Sequence, residues 1–281
     1  MQFAQRRRPN RQDKRQAATR KAIGVLMALC VVGGVIGYFY ISVSADTRPL
    51  DPITFCPTDA KGPNSVTAIL LDRTDTFNPT QQAAIRDRLD DVKDHTSQYD
   101  LLQVYTVEPT QEKLLKPIFS MCNPGRGEGM NRWTHNPHLM EERWQTLFAK
   151  PLQHLLDSIL DGGDAQVSPI MESIQSIVVT KLGSEEVISQ KIPRRLIIIS
   201  DLIQYVPDYS QYRLLLDFQH FNTLPYYQNV RADLSGISVE FWYVRRQKTL
   251  SIQTKKHQDF WQNYISDQGG SVDKMWSVPG T

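Results

Sequence analysis

From Ala22 to Val43 no charged residue interrupts the chain, and beyond it apolar residues come only in short runs separated by polar turns. The first stretch is long enough to cross about 30 Å of hydrocarbon as a helix rising about 1.5 Å per residue. The later runs differ in kind. Ser65–Leu71 (SVTAILL), Leu101–Val107 (LLQVYTV), Arg195–Ser200 (RLIIIS) and Ile237–Val244 (ISVEFWYV) are compact, apolar and rich in β-branched residues, the pattern of strands buried on both faces. Between them the apolar spacing lengthens to that of helices. Asn78-Pro79 opens one helix, with Gln81 at the capping-box position and Ile85, Leu89 and Val92 as its stripe. A second runs from about Glu141 to Leu160, with Trp144, Leu147, Phe148, Leu152, Leu155 and Ile159 inward, a kink at Pro151 and a stop at Gly162-Gly163. A third starts at Ser168-Pro169 and ends near Gly183; 209–221 and His257–Asp267 also read as helical, while Ser120–His138 reads as irregular. Strands alternating with helices predict an α/β fold with a doubly wound, mostly parallel sheet flanked by helices and preceded by one transmembrane helix. The expected division is a basic cytoplasmic tail (1–21), a membrane helix (22–43), a linker (44–64) and a globular domain (65–281).

Charge sharpens this division. Of 32 basic and 30 acidic residues, eight bases and one acid fall within 1–21, so the remainder carries 24 against 29 and is net −5. The basic character belongs to the tail, and nucleic-acid binding by the domain is not expected. A basic run before an apolar helix puts the N-terminus in the cytoplasm and the domain on the periplasmic or extracellular side; Tyr38 and Tyr40 suit the far headgroup region. The expectation is an uncleaved anchor, a signal peptide cut near Val43-Ser44-Ala45 being the alternative. Cys30 is a small apolar residue in the membrane segment, whereas Cys56 and Cys122 lie in the exported part. There a Cys56–Cys122 disulfide is expected, with two buried thiols as the alternative.

In open parallel sheets ligands sit beyond the carboxyl ends of strands, where strand order reverses. Both places expected to border that point carry acids: the first strand runs into Asp72-Arg73-Thr74-Asp75-Thr76, and RLIIIS runs into Asp201. Two carboxylates with hydroxyls form an all-oxygen set suited to a hard cation, Mg²⁺ first and Mn²⁺ or Ca²⁺ next. Here the sequence resembles a von Willebrand factor A-type domain with its metal-ion-dependent adhesion site. Asp72, Thr74 and Thr76 match the family's first D-x-S-x-S motif with threonine for both serines. Ser168-Pro169 matches the hydroxyl element before a helix, and Asp201 the acid after the central strand. Leu202 stands where the family commonly has glycine. The likeness spans roughly Ser65 to Gly270 and includes Asp233–Gly236, Phe260-Trp261, Tyr264 and Gly269-Gly270. It implies metal ligation by Asp72, Thr74, Thr76, Ser168 and Asp201. It also implies binding of a protein partner that offers an acidic residue to the metal; with the membrane tether, the expected role is that of a subunit of an envelope assembly.

Taken singly, these residues also suit turns and helix caps. A metal-dependent hydrolase with Asp72 in phosphoryl transfer is the alternative from another class, but Thr74 stands where aspartate-nucleophile phosphatases of the haloacid dehalogenase type carry their second acid. A structural envelope subunit with a degenerate metal site is the third reading. His135-x-x-His138 lacks further ligands at zinc spacing, and the glycines at 125, 127 and 129 do not form a phosphate loop. No Gly-x-Ser-x-Gly elbow is present. Arg245-Arg246 and Lys255-Lys256 read as solvated ends of elements, able to meet lipid headgroups or an acidic partner.

Overall fold

The computed structural model describes residues 11–43, 48–109, 114–127, 136–160, 163, 165–213 and 216–280. The chain divides into two units, Met1–Arg48 and Pro49–Thr281. In the first, α1 (Arg11–Val43) is a single helix. Its window Arg20–Tyr38 is long and apolar enough to cross a membrane, as an anchor or a signal sequence would be.

In the second unit the order is β1 (Val66–Leu71), α2 (Pro79–Asp94), β2 (Leu101–Thr106), β3 (Phe119–Cys122), α3 (Pro137–Trp144) and α4 (Lys150–Leu160). Then follow α5 (Ile170–Ile177), α6 (Glu185–Ser189), β4 (Arg194–Ser200), α7 (Phe218–Phe221), α8 (Pro225–Val230), β5 (Ile237–Val244), α9 (Lys255–Asp267) and β6 (Ser271–Val278). The six strands form one sheet in the order β3-β2-β1-β4-β5-β6, parallel except for β3, which runs antiparallel to β2. Strand order reverses between β1 and β4, so their carboxyl ends flank the switch point.

Side chains alternate between the two faces, and each face has its own core. Val66, Ala68 and Leu70 of β1 and Leu196 and Ile198 of β4 meet Ile170, Met171 and Ile174 of α5 and Phe260, Trp261 and Tyr264 of α9. Ile69, Leu71, Ile197 and Ile199 face the other way, against Ile85 and Leu89 of α2 and Trp144, Phe148 and Leu152 of the α3–α4 arm. This two-sided burial is why β1 and β4 read as unbroken apolar runs.

Local chemistry sets the helix ends. Asn78 accepts from Gln81 N–H at 2.9 Å and the Gln81 side chain accepts from Asn78 N–H at 3.2 Å, a full capping box with Pro79 at the first helical position. The arm expected from about Glu141 begins earlier, at Pro137, capped by Asn136. A π-helical turn, Gln145–Ala149, joins α3 to α4 just before Pro151. Proline has no N–H for the helical ladder, and the wider turn precedes the place where that donor is lacking. Leu156 is buried there and Leu155 only partly so.

The structure departs from these expectations in three places. Part of Ser120–His138 is strand: β3 pairs from Phe119↔Val104 to Cys122↔Leu101. The helix expected over 209–221 is a turn at 210–213 followed by the four-residue α7, capped by Asp217, after which Pro225 starts α8. Residues 214 and 215 lie outside the described set, as do Gly162, His135 and Gly129. Finally, β6 was not anticipated; it lies beside β5 in parallel register from Ser238↔Ser271 to Val244↔Val278.

Within the stretch read as a linker, Asp51 caps a turn by accepting from Ile53 and Thr54 N–H, and Leu50 bridges to Pro57. Cys56 is joined to Cys122 by a disulfide. Closing a loop of this length, 66 residues apart in sequence, removes unfolded-state entropy. Replacing both cysteines by serine should cost about 4 kcal/mol of stability in the chain-entropy model. Urea unfolding of the full chain in detergent, oxidised and reduced, checks this, and reduction should reproduce the loss seen in the double variant.

Candidate functional site

The ladder between β1 and β4 runs to Leu71↔Ile199, and Asp72 N–H continues it by donating to Ile199 C=O at 2.9 Å. The chain therefore delivers Asp72, and one residue further on Asp201, to adjacent points at the carboxyl edge of the sheet. Asp72 is 1 % exposed and Asp201 3 %.

All four acceptor positions of Asp72 are used. Oδ1 accepts from Thr74 N–H at 3.0 Å and from Thr74 Oγ1 at 2.7 Å. Oδ2 accepts from Ser200 Oγ at 2.6 Å and Ser168 Oγ at 3.2 Å. A hydroxyl that donates to a carboxylate keeps its lone pairs for something else. Ser168 reaches this position through a short antiparallel bridge, its N–H donating to Tyr205 C=O at 2.7 Å and its C=O accepting from Tyr205 N–H at 3.1 Å. Its side chain does not cap α5, whose N-cap is Pro169 with no side-chain bond.

The loop after β1 is held from the side. Ala165 N–H donates to Thr74 C=O at 3.0 Å. A Cβ on Gly163 would lie 2.3 Å from Arg73 C=O, so only glycine lets the chain after α4 pass so close. The loop after β4 is held from beneath. Leu202, wholly buried, has φ +60°, a left-handed conformation that leucine adopts only under constraint. The constraint is visible at both ends of the residue. Its N–H donates to Ser200 Oγ at 2.7 Å, and its C=O accepts from Trp261 Nε1 at 2.7 Å and from His257 Nε2 at 3.0 Å. Because the Leu202 carbonyl can only accept, Nε2 of His257 carries the proton, and in the neutral ring Nδ1 accepts from Tyr243 OH at 2.7 Å.

Asp201 has a different set of partners. Oδ1 accepts from Ile203 N–H at 3.0 Å, and Oδ2 accepts from Arg246 Nε at 2.9 Å. The guanidinium also donates from Nη1 to Thr76 C=O at 2.6 Å and from Nη2 to Asp75 C=O at 3.3 Å. It sits 5.5 Å from the Phe77 ring and is only 12 % exposed at the side chain. Arg246 is thus a half-buried bridge between the loops after β1 and β4, not the solvated end of a strand. Gln253 fixes it further, accepting from Arg246 N–H at 2.8 Å and donating to Asp201 C=O at 3.1 Å.

Of the five side chains singled out in the sequence, Asp72, Thr74, Ser168 and Asp201 come together. Thr74, Ser168 and Asp201, with Asp75, Tyr205, Tyr212 and Arg213, line an open cleft of about 410 Å³. Thr76 is exposed and does not line it; its carbonyl is the group Arg246 holds. Ser200, Arg246 and Gln253 were missed, and only the acids they serve gave a hint of them. His138 is exposed.

The converging donors are all oxygen. Among the described residues no group of three or more His, Cys, Asp or Glu is placed to hold a metal; the set is two carboxylates with hydroxyls. Its charge is under-compensated. Burial first, and then the charge of Asp72, push the Asp201 carboxyl up to about 7, against the pull of Arg246 and Ile203 N–H. One guanidinium does not fully neutralise two buried acids.

The two buried titrating groups act on stability in opposite directions. An acid raised in the folded state contributes stability at low pH, so Asp201 weakens the fold as pH climbs from about 4 through about 7. His257 is lowered to about 4 by burial, so its contribution is present above 6.5 and lost as pH falls through about 4. Asp201→Asn mimics the neutral acid. In urea titrations without divalent ions, the stability of wild type minus that of the variant should fall steadily from pH 5 to pH 8. A difference independent of pH would show that Asp201 is ionised throughout.

No family model matches this chain, and no curated protein matches it.

Proposed function

We propose that the unit from Pro49 onward is a von Willebrand factor A-like interaction module, anchored to a membrane by α1, that holds a protein partner through a divalent cation. Mg²⁺ suits the all-oxygen set first, Mn²⁺ or Ca²⁺ next. Thr74 and Ser168 would offer hydroxyl oxygens, and Asp72 and Asp201 the negative charge, the first by orienting those hydroxyls. The cation would supply local positive charge in a mildly acidic domain and accept a carboxylate from the partner. The observation that carries the reading is the convergence of two buried carboxylates and two hydroxyls at adjacent strand ends beside an open cleft. The module sits on the periplasmic or extracellular side, where a tether raises the local concentration of a partner in the same envelope, so that a single weak contact suffices.

A second reading draws on Arg246. With a guanidinium already on Asp201, the unit could be a structural envelope subunit in which arginine has taken the place of the metal.

Capture of partners by the full chain from detergent-solubilised membranes separates the two readings. Under the leading reading a specific partner is retained with Mg²⁺, and lost with EDTA and in Asp201→Ala. A partner held equally in all three conditions removes the metal from the mechanism and leaves the structural reading. Metal-dependent turnover of a phosphate ester, abolished in Asp72→Asn, would hand the site to the hydrolase class instead.

A further inference from the structure

We infer that Arg246 is the resident cation of this site and the competitor that any divalent ion must displace from Asp201. The inference rests on the metal-site reading above and adds to it the residue that sets metal affinity.

Among the described residues, Asp72 Oδ1 and Oδ2 take only neutral donors: the N–H and hydroxyl of Thr74 and the hydroxyls of Ser168 and Ser200. Asp201 Oδ1 takes the Ile203 N–H. Asp201 Oδ2 alone is held by a charge, the Arg246 Nε–H at 2.9 Å. An incoming ion that uses Oδ2 shares that oxygen with the guanidinium or evicts it, and one that uses the open side of Oδ1 still meets the guanidinium across the same carboxylate. Sharing places two cations side by side where the arginine side chain is 12 % exposed and the aspartate 5 %, with little water to screen them. Eviction is the lower-energy course.

Eviction has a structural consequence. The same guanidinium holds the carbonyls of Thr76 and Asp75, and its Nε lies 3.6 Å from Asp75 Oδ2. When Arg246 leaves Asp201 it also releases the loop that carries Thr74 and Thr76. Thr76, exposed while the arginine is seated, becomes free to turn toward the ion. Metal entry and rearrangement of the loop after β1 are then one event, governed by the departure of one side chain. The apparent dissociation constant for metal is the intrinsic value divided by the fraction of molecules in which the arginine has left, so removing the arginine recovers that factor.

Calorimetric titration of MgCl₂ into the full chain in detergent, wild type against Arg246→Gln and Arg246→Lys, tests this. Expected is at least about tenfold tighter binding in Arg246→Gln, equivalent to about 1.4 kcal/mol, with Arg246→Lys in between. Binding in Arg246→Gln where wild type shows none also supports the inference. Equal or weaker binding in Arg246→Gln, with wild type still binding, would make Arg246 a support for the metal and overturn the inference alone. Absence of binding in every variant overturns both the inference and the metal-site reading. Circular dichroism reports whether the variants fold. If Arg246→Gln does not, the Arg246 Nε–H resonance of ¹⁵N-labelled wild type decides: it should shift as MgCl₂ is added, and a resonance unmoved at saturating metal refutes displacement.

Discussion

Asp72 and Asp201 leave neighbouring parallel strands almost level with each other, so the pairing of β1 with β4 brings two buried negative charges together. Taking even one carboxylate out of water costs several kcal/mol unless donors replace the lost hydration, and a second one beside it adds repulsion. Most of what surrounds the sheet edge answers this cost. Thr74, Ser168 and Ser200 turn hydroxyls toward Asp72, and Ile203 and Arg246 turn donors toward Asp201. The loops take the shapes they do because those donors must arrive from four segments of the chain. Gly163 has no side chain because the segment after α4 must pass hard against Arg73.

Compensation is unequal. Asp72 is served by neutral dipoles and Asp201 by a full charge, and the Asp201 carboxyl still stands well above the usual range. A site that only needed to be stable would replace one acid by an amide or an apolar residue, since buried ion pairs contribute little to stability against well-packed alternatives. Both acids are nonetheless present, with the hydroxyls of Thr74, Ser168 and Ser200 on Asp72 and an open cleft lined by Thr74, Ser168 and Asp201 beside them.

How much of this could be read beforehand depends on whether the signal was local. β1, β4 and β5 were legible because burial on both faces makes the whole strand apolar, and α2 because Asn78, Pro79 and Gln81 spell its start within four residues. Asp72, Thr74, Ser168 and Asp201 were legible because they follow strands or precede a helix. β3 and β6 were not, because edge strands keep a partly exposed face and their composition stays mixed; FSMC and SVDKMWSV become strands through β2 and β5. The turn at 210–213 depends on Tyr205 bridging both Ser168 and Ser210, a pairing invisible to helical periodicity. Arg246 was opaque for the same reason: an arginine after a strand looks solvated until Asp201, 45 residues earlier, is known to lie beside it.

Leu202 shows how the fold holds the site in shape. The position takes a left-handed backbone that glycine would adopt freely, and leucine there costs on the order of 1–2 kcal/mol. Burying the leucine side chain returns about as much or more, roughly 1.5–3 kcal/mol. Trp261 and His257, both from α9, grip the carbonyl, and Ser200 grips the amide. A glycine would leave the loop free to flex, whereas leucine locks it to the core and so fixes the direction in which Ile203 N–H meets Asp201. The loop after β4 is thus anchored through α9 to the main core. The loop after β1 is held on its outer side by the Arg246 guanidinium, a group on a long side chain from a third loop. Of the two loops that frame the cleft, the one after β4 is set mainly by packing, while the one after β1 is tied by hydrogen bonds, from Thr74 to Asp72, from Ala165 to Thr74 and from Arg246 to Thr76 and Asp75.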